Sequence, residues 1–328
     1  MMGCIVVFLG IVAELAPVAV GAEADRPCYG VLVVEAVGAD GYVSADMDLA
    51  SIQEALDLAY LSTRVEPPKA FLESPQGLTP LAIQWDGIGA EVRHITFVLP
   101  QGTALPARVR VYFLGNAPEG DAAPVETALS AREEDGKIIV NNGFVEVVHD
   151  PAVQAGLPAQ VKFLVSGKTL DGYVFNDRVY EKDRGGFFLR LDPKAKVRLV
   201  RNGAIEVVVE TSARYVQGET APSSKPRATY RFHYRAGSPA IEVTAHCEQD
   251  DLLSWHELHL IEWNFPERPL RDWATGAPKA SGAFEEDKVT MSGSQWACLS
   301  DGQHVVGVAG GGPKLYSGDG YGSYVHGP

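Results

Sequence analysis

Residues 228–265 read ATYRFHYRAGSPAIEVTAHCEQDDLLSWHELHLIEWNF, and their alternation decides the fold. Tyr230, Phe232 and Tyr234 alternate with Arg231, His233 and Arg235, the period of two expected of a strand with one dry and one wet face. After the turn Ala236, Gly237, Ser238 and Pro239, residues Ile241, Val243, Ala245 and Cys247 alternate with Glu242, Thr244, His246 and Glu248. Pairing Arg235 with Ala240 sets His233 opposite Glu242 and Arg231 opposite Thr244; a slip by one residue would bury every charge. A second turn at Glu248 to Asp251 leads into a third strand, in which Trp255, Glu257, His259, Ile261 and Trp263 share a side. In that register Trp255 lies beside Thr244 and Glu257 beside Glu242. One sheet face is thus expected to gather Arg231, His233, Arg235, Glu242, His246, Trp255, Glu257 and His259.

Two readings of that face compete. Indole rings among Arg, Glu and His suit a glycan, because pyranose rings stack on aromatics while charged groups bond hydroxyls and carboxylates. Glu257 and His259, about 7 Å apart on one side of a strand, have the spacing of an acid–base pair. The plainer reading is a solvated or domain-facing surface held in register by cross-strand ion pairs. A hydrolase pair of Glu242 and Glu257 is the weaker enzymatic option, since adjacent strands would bring them closer than the ~5 Å such mechanisms use.

Outward from this stretch the chain reads as mainly β. Short strands are expected around residues 29–37, 81–86, 92–100 and 107–115, with a helix at 46–61 behind Asp46 or Asp48 as candidate N-cap. The breaker-rich NAPEGDAAP, at 116–124, is the expected linker. Strands dominate beyond it, including a hairpin at Asn202-Gly203 and another about Ser300, Asp301 and Gly302. The expected organisation is a signal peptide at 1–22, a small β-barrel domain at 23–115, a linker at 116–130, and a large antiparallel β-sandwich at 131–328.

Residues 1–22 form an apolar run ending in Val20, Gly21 and Ala22, a small-x-small pattern. It predicts export and a secreted or periplasmic protein; the alternatives are an uncleaved anchor and a misplaced start codon. Net charge of −14 argues against nucleic acid as partner. Of four cysteines, Cys28, Cys247 and Cys298 lie beyond the signal, and an odd number cannot all pair internally. No zinc-type spacing and no DxDxDG-like loop is present, so no cofactor is expected, calcium being the one ion considered.

Two further features bear on ligands. Arg178, Lys182, Arg184, Arg190, Lys194, Lys196, Arg198 and Arg201 cluster in an otherwise acidic chain. Such a patch suits uronate carboxylates, or equally keeps edge strands soluble. The tail KLYSGDGYGSYVHGP places Tyr316, Tyr321, Tyr324 and His326 close together, with Tyr324 a candidate acid.

Three groups of motifs carry a family resemblance: YVSADMDLA with LTPLAIQWD, HITFVLP and RVRVYFLGN; KIIVNNGFVEVVHDP; and ATYRFHYRAGSPAIEVTA with WHELHLIEW. Together they resemble the rhamnogalacturonan exolyase and YetA-like group, and the last also resembles sandwiches of the galactose-mutarotase type. The resemblance implies a RIFT-like barrel, a central supersandwich, and an α/α toroid that would follow this chain. It implies β-elimination on an acidic, pectin-like polysaccharide. The resemblance carries over no catalytic residue; from the residues themselves, His259 or His233 is the candidate base for such an elimination, Arg231 or Arg235 the carboxylate's counter-ion and Tyr324 the acid, with Trp255, Glu257, Trp263, Glu242 and His246 as candidate substrate contacts. The alternative is a glycan-binding or structural module without catalysis.

Overall fold

The computed structural model describes residues 3–5, 14–16, 29–35, 37, 41–48, 68–88, 92–113, 117–276, 280–284, 294–310, 314–317 and 323–326. Among them the regular structure is β, interrupted by single 3-10 turns at Gln154–Gly156 and Leu189–Leu191. The chain divides into two units, one of Gly10–Glu126 with Gly203–Glu206, the other of Met1–Leu9, Thr127–Asn202 and Val207–Pro328.

The smaller unit holds two antiparallel sheets. One runs Glu14–Ala16, Tyr29–Val34, Ala107–Tyr112, Lys69–Ser74, Gly77–Leu81; the other runs Tyr42–Asp48, Val92–Val98, Ile83–Ile88. Their inner faces share a core of Leu32, Val34, Met47, Ile95, Phe97, Val109 and Val111. The expected strands are present, but the pairings among the described residues do not close into a barrel. The helix expected from Asp46 onward is replaced, as far as Asp48, by a strand. Val43, Ala45 and Met47 are buried while Ser44 and Asp46 are not, so a period of two governs this segment. Residues 49–61 of that helix lie outside the described residues.

Among the described residues the larger unit contains five sheets around one apolar core. Its organising hairpin has the expected register: Tyr234 pairs with Ile241, His233 with Glu242 and Arg231 with Thr244. Tyr230, Phe232 and Tyr234 are buried, and Lys196–Asn202 and Glu206–Arg214 extend the sheet. In the first unit's part of that connection, Gly203 is needed for close approach. A Cβ there would lie 2.1 Å from the side chain of Gln84, which accepts the Ile205 and Glu206 N–H groups at 3.0 and 2.8 Å.

The third strand departs from expectation. Glu257–His259 pairs with Arg178–Glu181, with Glu257 opposite Tyr180 and His259 opposite Arg178. It therefore joins Gly185–Phe188 and Arg178–Glu181 in a separate three-stranded sheet. The preceding loop is drawn there by the Asp250 N–H on the Ser224 carbonyl and the His256 N–H on the Tyr180 carbonyl, both at 3.0 Å. Ile261 then takes φ of 51°, a left-handed conformation costly for a β-branched residue. That residue breaks the alternation, so Trp263 does not share the side of Glu257 and His259. It begins a new strand, Trp263–Phe265, flanked by Val174–Phe175 and Ser323–His326.

Candidate functional site

The hairpin's polar face is a lattice of ion pairs. Arg231 donates to Glu210 at 2.9 Å, and Arg198 donates to the other oxygen of the same carboxylate at 2.6 Å. Burial alone would raise the Glu210 pKa, but the two guanidiniums lower it below the usual value. Arg235 is bonded to Glu242. His233 stands opposite Glu242 on the paired strand, and His246 is exposed. Charged side chains pair across neighbouring strands on this face. Replacing Arg231 by Ala is expected to cost no more than about 1 kcal/mol in a urea melt, since Arg231 is half exposed and Glu210 keeps Arg198 as a partner.

The other expected site residues lie elsewhere. Trp263 is 5% exposed, stacked on Phe175 at 5.2 Å and met edge-on by Tyr173 at 5.2 Å, so it is a core residue. Tyr324 is also buried, on the strand beside Trp263 and opposite Asn264. Trp255 is half buried against the core, its indole N–H donating to Gln249 at 3.0 Å. Neither Trp263 nor Tyr324 shares a surface with the hairpin's charges, and Glu257 and Glu242 sit in different sheets. The reason is the left-handed Ile261 together with the transfer of Glu257–His259 to a new neighbour.

What the fold assembles instead is a polar clamp around Glu262. Its carboxylate is buried, and accepts from Arg178 at 3.0 and 3.1 Å and from Asn176 at 2.6 Å. His259 meets Glu262 through Nδ1 and Glu257 through Nε2. Burial pushes the Glu262 carboxyl up, but the hydrogen bonds from His259 and Asn176 and the charge of Arg178 outweigh it and hold the pKa below the usual range. The bond to Glu262 raises His259 above the ordinary imidazole value, so it favours the imidazolium form. A cation held between two carboxylates is poorly suited to the role of base expected of it. Beneath the clamp, Asp177 accepts the N–H groups of Ile261 and Glu262 at 3.0 and 2.9 Å, and the Tyr230 hydroxyl. These bonds hold Ile261 in its strained conformation. Asp177, Glu262 and Tyr180 were not singled out from sequence, because no local pattern links the segment 176–180 with 257–262.

The solvent face of this three-stranded sheet carries two register rows. Phe188, Arg178 and His259 form one; Gly186, Tyr180 and Glu257 form the next. Tyr180 is 39% exposed with His256 edge-on to it at 5.3 Å. Gly186 on its far side faces the Phe188 ring, which a Cβ there would meet at 3.2 Å. Two more residues of the expected cationic patch are engaged locally: Arg184 bonds Glu181 at 2.6 Å, and Arg190 lies over Phe188 at 5.2 Å. Among the described residues no cluster of three or more His, Cys, Asp or Glu side chains is placed to hold a metal ion. Cys28 lies outside the described residues, and Cys247 packs partly against the core, where burial raises its thiol pKa.

No protein-family model matches the sequence, and no curated protein matches it. Among solved structures, a protein in glycosyl hydrolase family 38 from Enterococcus faecalis aligns with 87% of this chain and 38% of its own, at 10% identity and a TM-score of 0.43. An alpha-mannosidase from Enterococcus faecalis aligns with 91% of this chain and 39% of its own, at 11% identity and a TM-score of 0.44. This chain thus spans less than two fifths of the length of either. At this identity and overlap the likeness assigns neither a substrate nor a reaction to this chain.

Proposed function

We propose that this chain is an exported, carbohydrate-contacting β protein whose glycan surface is the solvent face of the sheet formed by Arg178–Glu181, Gly185–Phe188 and Glu257–His259. The observation that carries the reading is the exposed ring of Tyr180 between Gly186 and Glu257, one register step from Arg178 and His259. An exposed phenol ring offers a pyranose an apolar face to lie against, and the neighbouring Glu257 carboxylate supplies an acceptor for its hydroxyls. Export rests on the apolar run at 1–22.

Affinity electrophoresis through gels of pectic, other uronate and neutral polysaccharides tests the proposal. Retention by at least one glycan is expected, with Tyr180→Ala weakening it about tenfold or more and Arg231→Ala leaving it unchanged. Retention that survives Tyr180→Ala would place the glycan elsewhere; no retention in any gel would defeat the proposal.

A lyase reading is favoured by one observation, that Glu257, His259 and Arg178 converge. With His259 as the protonated acid, Glu257 would be the base and Arg178 the counter-ion to a uronate carboxylate. Ultraviolet absorbance of unsaturated product on uronate polymers, abolished by Glu257→Gln, is the expected result. A flat trace on every uronate polymer leaves the binding role alone.

A further inference from the structure

Two turns of the larger unit meet at a Ser–His–Asp chain that the glycan face does not use. The strands Trp296–Ser300 and His304–Ala309 are joined through Asp301, Gly302 and Gln303, with Gly302 at φ of 87°. The Asp301 carboxylate accepts the N–H of Gln303 at 3.0 Å and that of His304 at 2.7 Å, which fixes its orientation. Both of its oxygens lie 3.0 Å from Nδ1 of His304. The imidazole is buried and packs on the Phe163 ring at 4.7 Å. Its Nε2 lies 2.7 Å from Oγ of Ser166, on the exposed turn between Pro158–Phe163 and Thr169–Leu170. Lys168 ties the two turns together: its ammonium bonds Asp301, and its backbone N–H donates to Ser166 Oγ at 3.2 Å.

The order of these groups has chemical content. A carboxylate at Nδ1 places the ring's N–H on that side, leaving Nε2 to accept from the serine hydroxyl. The carboxylate is kept ionised: burial raises its pKa, but Lys168, His304 and the two backbone N–H groups together hold it far below the usual range. The oxygen that would react is the one group of the three on an exposed residue. The smaller unit shows what a different arrangement looks like. There His94 Nε2 is 2.6 Å from Ser44 Oγ and Nδ1 is 2.6 Å from Asp46, but Asp46 is 69% exposed and the buried Glu206 lies 3.8 Å from Nε2. There the carboxylate at Nδ1 faces solvent and a second carboxylate shares the Nε2 side with the serine.

We propose that Ser166, His304 and Asp301 form an acyl-transfer site acting on short-chain carboxylic esters. Ser166 Oγ attacks the ester carbonyl carbon as its proton passes to His304 Nε2, giving a tetrahedral oxyanion. Collapse breaks the bond to the alcohol oxygen, which leaves with the proton from Nε2. Water, deprotonated by the same nitrogen, then releases the carboxylic acid and restores Ser166. Asp301 touches no reacting atom; it is a positioning residue for His304. An exposed turn beside the exposed Val165 suits a small acyl group carried on the surface of a larger molecule.

The full chain is treated with a fluorophosphonate probe, mapped by mass spectrometry, and assayed on p-nitrophenyl acetate. Probe on Ser166 in preference to other serines is expected, together with hydrolysis that Ser166→Ala lowers about a hundredfold or more without moving the melting curve. Asp301→Asn is expected to lower kcat at least about tenfold with KM held, and Asp301→Glu to recover part of it, a pattern that a merely structural turn contact would not produce. Absence of probe at Ser166, or hydrolysis equal in wild type and Ser166→Ala, would overturn the proposal. Ester hydrolysis and gel retention are measured on the same preparation, so failure here and failure of the glycan surface are read separately.

Discussion

Glu262→Ala is expected to destabilise the larger unit by about 3–5 kcal/mol, or to prevent it from folding cooperatively. The side chain of Glu262 is 3% exposed and is the common acceptor for Arg178, Asn176 and His259. Removing it leaves a guanidinium and an imidazole largely desolvated with only the half-exposed carboxylate of Glu257 near both, 3.8 Å from Arg178, and that desolvation is what makes losing one member of a buried pair expensive. Glu257→Ala is the control: its side chain is 43% exposed and touches the same histidine, yet water can replace it, so a cost below about 1 kcal/mol is expected. Urea midpoints at constant m-value measure both. Near-equal costs for the two would show that the clamp is no more buried in energy than the hairpin's surface pairs. The clamp also has a pH signature. Because folding raises the His259 pKa, its contribution is fully present below the unfolded value of about 6.5 and is lost as pH rises through the folded value. Glu262→Ala should erase that slope.

The second large effect lies between pH 4 and 6.5, where two buried groups pull in opposite directions. His149 is buried, with Nδ1 2.8 Å from the Gly156 carbonyl and Nε2 2.6 Å from the Tyr234 hydroxyl. Burial pushes its pKa down to about 4, the Gly156 carbonyl opposing. The unfolded chain therefore takes up a proton near pH 6.5 that the folded chain refuses until about 4. Stability falls by about 3 kcal/mol as pH drops across that window. Asp177 behaves inversely. Burial pushes its carboxyl up to about 6, so between 3.8 and 6 the folded chain keeps a proton that the unfolded chain has lost. Its share of stability falls by about 3 kcal/mol as pH rises through that interval. The two nearly cancel in the wild type. In Asp177→Asn only the histidine slope survives, and the variant's stability minus that of the wild type should climb by about 3 kcal/mol from pH 4 to 6. A difference that stays level across that range would mean that Asp177 titrates alike in the folded and unfolded chains.

How much of this was legible beforehand varies by segment. In Arg227–Arg235 and Ile241–Glu248 each residue's face and partner could be read from alternation plus a short turn, and the observed pairing of His233 with Glu242 agrees with that reading. Alternation was also present from Trp255 to Trp263, but it assumes a continuous strand. A single left-handed residue at Ile261 ended the phase, so Trp263 entered the core and Glu257 and His259 took another neighbour. At 46–48 the reverse occurred: the expected first turn of a helix belongs to the strand Tyr42–Asp48, whose dry side is Val43, Ala45 and Met47. Arg231 and Arg235 were legible as polar-face residues, but whether they were free for a ligand depended on Glu210 and Glu242 reaching them.

Alone, then, the sequence determined the β class and the register of its central hairpin, because side-chain period and turn length are local quantities that survive any arrangement of the sheets. Tertiary structure decided where the chemistry sits. The backbone of Ile261 is held by the carboxylate of Asp177, and the hydroxyl of Ser166 meets a histidine 138 residues further along the chain. Such contacts arise only when separate strands share one core, and they leave no periodic mark on the residues that make them.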